Sequence, residues 1–128
     1  MAETVPKVAT LDGFADTVAK NEGIGLQELG AGKVLIVETD NGTYTIEVLN
    51  PAERTVRVVG GEHFPNPEIC ILSGSTFGGS MLKMGWIGMG MHMEFHRPNA
   101  ELANRRVTTS PVIAVSVSVP GAPSNYVH

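Results

Sequence analysis

The spacing of hydrophobic residues changes once along the chain, from a helical repeat near the N-terminus to a strand repeat afterwards. At first the apolar residues return every three or four positions, the spacing of one face of an α-helix. These residues are Leu11, Phe14, Ala15, Val18 and Ala19. Thr10 or Asp12 can cap the start of the helix, and Asn21 and Gly23 can end it. The pattern therefore predicts an amphipathic helix over about 11–21.

From Lys33 onward, hydrophobic and polar residues alternate with the period of a β-strand. Three short runs carry this alternation, and tight-turn residues separate them. The runs are Lys33–Thr39, Thr43–Leu49 and Arg54–Val59, with Asn41-Gly42 and Asn50-Pro51 at the turns. In the second run Tyr44, Ile46 and Val48 share one face. In the third, Val56 and Val58 are expected to face the core, so the runs predict an antiparallel meander.

The second half of the chain predicts further strands, which glycine and proline interrupt. His63–Pro67 is proline-rich and is expected to be a loop, and Glu68–Thr76 a strand that is apolar and covered on both faces. The glycine-dense run Ser73–Ser80 predicts a bulge, a bend or a close crossing of two backbones. The last predicted strands are Ile87–His96, Arg105–Ser110 and Val112–Val119. Pro111 marks a sheet edge, a bulge or a change of sheet.

These elements together predict a mainly β fold class. About six to seven short strands with one N-terminal helix are typical of a small antiparallel β-barrel or sandwich, and the helix is expected to plug an open end. The strands occupy about 33–119, and Leu26 with Leu29 forms a single apolar turn before them. The tail 120–128 has no packing pattern and is expected to fray. A chain of 128 residues is expected to form a single domain, 1–128.

Composition and charge narrow the classes of function. Nine Lys and Arg residues against thirteen Asp and Glu give a net charge of −4 and no basic field for a phosphate backbone, so no nucleic-acid partner is expected. The sequence has no secretory signal pattern and no apolar stretch of membrane-spanning length, so we expect a cytoplasmic location and no membrane partner. The single cysteine, Cys70, lies in an apolar run and is expected to be a buried, unreactive thiol.

The predicted strand Ile87–His96 carries the most concentrated chemistry, because its two faces differ. Period-two spacing puts His92, Glu94 and His96 on one face, and methionines and Phe95 on the other. Two imidazoles and a carboxylate are a ligand set for a divalent metal such as zinc or iron. Cupin barrels resemble this arrangement in architecture only, since their motif has the order His-x-His and then a carboxylate. The preferred interpretation is that the polar face is the solvated side of a half-buried strand.

Five of the six methionines are concentrated in one segment. They are Met81, Met84, Met89, Met91 and Met93. Core packing is the preferred interpretation, because methionine is usually buried. If exposed, the same residues would form an adaptable apolar surface, with Trp86 as the anchor for a partner subunit. A third possibility is an internal pocket for a small apolar ligand, lined by Met89, Met91 and Met93.

No catalytic motif accompanies these features. The glycine-rich stretch 74–80 lacks the Gly-Lys-Ser/Thr ending of a phosphate-binding loop and does not match Gly-x-Ser-x-Gly. We therefore expect a non-enzymatic domain without a cofactor, which acts through its surface by self-association or by binding a protein partner. The competing hypothesis is a metal-binding barrel or metalloenzyme that holds a divalent metal through His92, Glu94 and His96.

Overall fold

The computed structural model describes residues 23–78 and 81–118, and its elements are mostly strands. In chain order they are β1 (Gly23–Gly25), the helical turn α1 (Leu26–Leu29), β2 (Val34–Thr39), β3 (Gly42–Asn50), β4 (Thr55–Gly60), β5 (Phe64–Thr76), β6 (Lys83–Met84), β7 (Trp86–Gly88), β8 (His92–His96), a 3-10 turn (Leu102–Asn104) and β9 (Arg106–Ser118). The helix predicted over 11–21, Val119 and the tail 120–128 lie outside the described residues. None of the helical segments in the described ranges has the length and apolar character needed to cross a membrane.

The strands form a barrel-like ring. The main sheet pairs its strands antiparallel in the order β4-β3-β2-β9-β8-β5-β6, and a further pairing between β4 and β5 joins the sheet to itself. The ring is not closed evenly, because register shifts interrupt several of its pairings. β1 and β7 form a separate two-stranded sheet. This architecture confirms the predicted mainly β, antiparallel, barrel- or sandwich-like class.

The meander of β2, β3 and β4 follows its sequence pattern closely. Thr39 pairs with Gly42 on either side of the predicted turn. The alternate side chains of β3 from Tyr44 to Val48 are buried, and Val56 and Val58 of β4 are buried opposite them. Burial of such aliphatic side chains contributes roughly 1.5–3 kcal/mol each to folding. Alternation alone therefore identified this part of the core.

Three aromatic rings lie at the centre of the core. The ring centroids of Phe64 and Phe95 are 5.2 Å apart in an edge-to-face arrangement, and Tyr44 lies 6.4 Å from each of them. Pairs in such geometries add about 0.5–1.5 kcal/mol beyond burial. Leu26 of α1 is fully buried in the same core, and its N–H donates to the carbonyl of Gly85 at 2.8 Å. The predicted apolar turn is thus present and belongs to the core.

The proline-rich segment 63–67 is mostly strand, so its interpretation as a loop was wrong. β5 begins at Phe64, which pairs with Gly60, and the next pair joins Glu68 to Val58. The longer stretch on β5 is a bulge, and the prolines inside it are exposed. A bulge tolerates proline because its residues do not need to donate to the neighbouring strand.

The middle of β5 is covered on one face only. Cys70 and Leu72 are buried, whereas Ile69 is 54% exposed and Ile71 is half-buried. The expectation that both faces are covered was therefore wrong for residues 69–72, and it holds only at the end of the strand, where residues 74–76 are all buried. The ring has an inside and an outside, and residues of β5 alternate between them as they do in any single-walled sheet.

Pro111 lies within β9, which runs without interruption through the two segments predicted on either side of it. Pro111 pairs with His92, and the next pair along β8 and β9 joins Glu94 to Thr108, so β9 carries extra residues there. A second register shift occurs where Val112 pairs with Thr39 of β2. Of the three roles that the sequence left open for this proline, the structure favours the bulge.

Candidate functional site

The predicted strand Ile87–His96 is two strands, β7 and β8, separated by a turn. Gly90 adopts a φ of 77°, in the left-handed region that glycine enters without steric strain. Just before it, Met89 forms an isolated bridge to Val112. The turn redirects the side chains, so period-two spacing cannot be carried from Met89 to Met93. The prediction of one continuous strand with a single methionine face was wrong.

Within β8 the alternation holds. Met93 and Phe95 are fully buried, while His92 and Glu94 are half-buried and His96 is exposed on the opposite face. The predicted orientation of this short strand, with the imidazoles turned away from the core, is confirmed.

Each polar residue on this face of β8 has a different neighbour. The Nδ1 atom of His92 lies 2.7 Å from the carbonyl oxygen of Thr109. Glu94 lies 3.4 Å from the Nε atom of Arg106, measured from its Oε2 atom. His96 pairs with Arg106 across the strands. Within residues 23–78 and 81–118, no three His, Cys, Asp or Glu side chains are close enough to hold one metal ion together.

The five clustered methionines divide between the core and the surface. Met93 is fully buried and Met89 packs against the core, as the preferred interpretation requires. Met81 and Met84 are 80% and 63% exposed, so core packing was the wrong interpretation for these two. The reason is their position: Met84 belongs to β6, a two-residue strand at the end of the sheet order, and Met81 lies just before it.

An open apolar groove of about 560 Å³ lies on this exposed side. It is lined by Phe77, Gly78, Met81, Leu82, Lys83 and Met91, and we call it the methionine groove. Phe77 is 74% exposed, a large fraction for an aromatic side chain. Contiguous exposed apolar groups are candidates for an interaction surface when they form a large patch.

The end of β5 provides a fixed support for the groove. The Ser75 hydroxyl donates to the carbonyl of Trp86 at 2.6 Å and accepts from the N–H of Gly88 at 3.3 Å, which ties β5 to β7. The Thr76 hydroxyl donates to the carbonyl of Gly78 and accepts from its N–H, which forms a tight turn. This turn places Phe77 on the surface.

A close backbone crossing at Gly74 sets the path into this region. Gly74 has a φ of 153°, and a Cβ atom there would lie 2.1 Å from the carbonyl oxygen of Lys83. Only glycine allows the backbone of β5 to approach that of β6 so closely. Of the possibilities predicted for the glycine-dense run, the bulge and the close crossing are both confirmed, because the register of β5 also shifts between Leu72 and Gly74.

The one charged residue that lines the groove, Lys83, places its ammonium group over an aromatic ring. The Nζ atom of Lys83 lies 3.8 Å from the ring centroid of Trp86, a cation–π contact. Trp86 itself is half-buried beside the groove rather than in its lining. The methionine groove therefore presents mainly apolar atoms.

The thiol of Cys70 is removed from any chemistry at the surface. The residue is 2% exposed, and burial, with a smaller contribution from Glu68, raises the pKa of its thiol to about 12. Since the thiolate is the reactive form, the neutral thiol is inert at physiological pH. The prediction of a buried cysteine is confirmed.

Phe77 is the site residue that sequence reasoning missed. The glycine-dense run was interpreted as a bend, and its single aromatic residue was given no role. The available signal was a large apolar side chain in a run of glycine and serine, where no strand can bury it. Comparison of the chain with protein-family models, with curated proteins and with solved structures finds no match.

Proposed function

We propose that the protein is a non-enzymatic β-barrel domain of the cytoplasm that acts by protein–protein contact through the methionine groove, and that its partner is a second copy of the same chain. The observation that carries the proposal is the exposure of Phe77 and Met81, at 74% and 80%, on the wall of one apolar groove. Burial of such groups on association is favourable, and the gain must exceed the cost of the freedom that the two chains lose.

The chemistry of the groove suits an interface core. Aromatic residues and methionine are enriched at the centres of protein interfaces, and charged residues are depleted there. Methionine side chains are flexible and polarisable, so they adapt to a facing surface. Phe77 and Met81 would be the residues whose truncation weakens association most.

A second copy of the chain can bind the methionine groove with its own groove, because the two facing surfaces would not repel each other by charge. In a twofold dimer the same patch lies on both sides of the interface, so a charged patch would oppose itself. The one charged residue that lines the groove is Lys83, and its ammonium group is engaged with Trp86 of the same chain. An apolar patch of this kind is complementary to itself.

Sedimentation velocity of the full chain over a wide concentration range tests this proposal. We expect a monomer–dimer equilibrium that Met81→Glu weakens at least about tenfold, because a buried carboxylate would lose its hydration. The matched control is Leu102→Glu, since Leu102 is 79% exposed but lies outside the groove. A chain that stays monomeric at every concentration, or equal effects of the two substitutions, would contradict the proposal.

The second candidate function, a divalent-metal site on β8, rests on the hydrogen bond of His92. A carbonyl oxygen can only accept, so the Nδ1 atom facing Thr109 carries the proton and a neutral ring keeps a free lone pair on Nε2. Metal-binding histidines are commonly oriented in this way. Glu94 and His96 lie on the same face, and they would complete the site only if Glu94 left Arg106 and the three side chains converged, because they are not close enough to share one ion in the structure.

Metal analysis of the purified protein tests this second candidate. Stoichiometric zinc or iron that is lost in both His92→Ala and His96→Ala, and kept in the control His63→Ala, would support the metal site. Protein that retains no metal after equilibration with zinc and dialysis would rule against it.

A further inference from the structure

A separate cavity of about 490 Å³ adjoins α1, the turn between β3 and β4, and the link between β6 and β7. The apolar side chains that it exposes to a ligand are those of Pro51, Met84 and Trp86. Two charged residues, Glu28 and Arg54, also line it. The cavity therefore combines an apolar wall with one cation and one anion.

Arg54 has a backbone conformation that arginine rarely adopts. Its φ is 60°, and among the residues described by the structure it is the one non-glycine residue with a positive φ. The conformation is held by two hydrogen bonds, from its N–H to the carbonyl of Pro51 and from the N–H of Leu72 to its carbonyl. Glycine or asparagine would fit this position with less strain. An arginine in a strained backbone conformation is grounds for the hypothesis that its side chain has a role.

The guanidinium group of Arg54 has hydrogen-bonding capacity that the protein does not use. Its Nε atom is buried and, among the described residues, is the one buried side-chain nitrogen or oxygen without a hydrogen-bond partner. The side-chain carbons pass beside Gly85, where an added Cβ would lie 3.5 Å from Cδ of Arg54. A buried donor without an acceptor is unfavourable, so a ligand acceptor that met this donor after a shift of the Arg54 side chain would gain a hydrogen bond that the protein does not supply.

Glu28 does not neutralise this arginine. The ion pairs found among the described residues are Glu47–Arg57, Glu68–Arg97 and Glu94–Arg106. Glu28 and Arg54 belong to none of them. The planar guanidinium group matches a carboxylate with two parallel hydrogen bonds, and the carboxylate of Glu28 in the same wall would repel a more highly charged anion.

We propose that this cavity binds a small monocarboxylate with an apolar body, whose carboxylate accepts hydrogen bonds from Arg54 while its body packs against Trp86 and Met84. This site is independent of the methionine groove. Arg54 supplies the charge and the buried donor, and the apolar wall supplies the preference for a hydrophobic acid over an inorganic anion.

Trp86 makes the proposal directly testable, because it is the single tryptophan of the chain and it lines the cavity. Its fluorescence is measured while the full-length protein is titrated with benzoate, with the neutral isostere benzamide, and with inorganic phosphate. We expect a saturable change with benzoate, at a dissociation constant at least about tenfold below those of the other two probes.

The contribution of Arg54 is tested with Arg54→Gln, and Arg57→Gln on β4 is the matched control, because Arg57 is exposed and lies outside the cavity. Benzoate binding should weaken at least about tenfold in the first variant and stay unchanged in the second. Equal binding of benzoate and benzamide by the wild-type protein, or unchanged benzoate binding by Arg54→Gln, would overturn the assignment. Phosphate binding as tight as that of benzoate would overturn the class of ligand.

Arg54→Gly separates binding from folding. Removal of the strain at φ 60° should leave this variant folded, as judged by circular dichroism, while benzoate binding is lost. If both substitutions at Arg54 prevent folding, the preference of the wild-type protein for benzoate over benzamide decides the question alone.

Discussion

The meander β2–β4 and the segment 74–91 are both rich in spaced apolar residues, but only the meander buries them as the spacing predicts. In the meander, Ile46 and Val58 are fully buried opposite each other. In the segment 74–91, Met81 is mostly exposed although it belongs to the same compositional class. Alternation therefore predicts burial only where the backbone remains extended throughout.

Glycine is what separates the two regions. Gly74, Gly85 and Gly90 have φ values of 153°, 63° and 77°. Gly85 and Gly90 lie in turns, where a positive φ resets which way the following side chains point, whereas Gly74 lies within β5 at its close crossing with β6. The segment 74–91 places an aromatic ring and methionines outside the ring of strands, where they form the methionine groove. Within the three strands of the meander, the one positive φ is that of Gly60, at the last position of β4.

The largest expected effect comes from the meander. Ile46→Ala should lower the free energy of unfolding by about 2–5 kcal/mol, because it leaves a cavity in a fully packed position. Urea denaturation followed by circular dichroism measures this loss. A loss below about 1 kcal/mol would indicate that the meander is no better packed than the glycine-rich segment, and the comparison would fail.

Gly74→Ala tests whether the close crossing of β5 and β6 is rigid. We expect a loss of about 2–3 kcal/mol, because the new Cβ would meet the carbonyl oxygen of Lys83 and the backbone would be strained. Gly32→Ala is the control: its φ is also positive, at 90°, but nothing lies within 4 Å of the added Cβ. If the two variants unfold at the same urea concentration, the backbones of β5 and β6 can move apart at no cost in stability, and the crossing is not rigid.

The titration of Cys70 reports on burial in β5, the strand that pairs with the meander, because Cys70 lies opposite Val56 of β4. Its thiol has a pKa of about 12 in the folded protein, against about 8.5 in an unfolded chain. Between these values the folded state holds more protons, so stability is full below pH 8.5 and falls as pH rises, by about 1.4 kcal/mol per pH unit.

Cys70→Ala removes this pH dependence. The difference in unfolding free energy between the wild type and Cys70→Ala should therefore shrink by about 2 kcal/mol from pH 8 to pH 10. Tyr44, whose pKa is raised mainly by burial, weakens both proteins alike at high pH and cancels in the difference. Urea titrations at the two pH values measure it, and parallel pH profiles would argue against a buried thiol.

The smallest expected effect is that of Met81→Ala on the stability of the dilute monomer, at most about 0.5 kcal/mol, because an exposed side chain loses few contacts. The matched substitution Met93→Ala removes a fully buried methionine and should lower stability by about 2–5 kcal/mol. Thermal unfolding at low protein concentration compares the two. Similar losses would mean that both methionines are core residues.

Much of the fold could be predicted because local pattern and tertiary burial agree in the meander. The strand predicted at Lys33–Thr39 is β2, Val34–Thr39, and the strand predicted at Arg54–Val59 is β4, Thr55–Gly60. The break at Gly90 could not be predicted, because glycine is compatible with a strand as well as with a left-handed turn. The proline-rich start of β5 could not be predicted to be a strand either, because its bulge depends on the partner strand β4.

The methionine groove and the cavity beside Arg54 differ in how much of each could be predicted from the sequence. The methionines of the groove were recognised as a group, but whether they were buried depended on the path of the backbone after Gly74. Arg54 was placed at the start of a strand and given no role. Its positive φ is held by backbone hydrogen bonds to Pro51 and Leu72, which are separated from each other along the chain, and its unused donor depends on how the side chain packs. Such features exist only in the folded molecule.

The pairing of β2 with β9 has a consequence for how the chain reaches its native state. Val34 pairs with Ser118, so the first strand of the ring acquires its second neighbour from the last described strand. During synthesis one edge of β2 stays unpaired until β9, and so nearly all the described chain, has left the ribosome. Non-local pairing of this kind slows folding and leaves an unpaired strand open to aggregation in the interval. The nascent barrel is therefore most open to aggregation just before β9 pairs with β2.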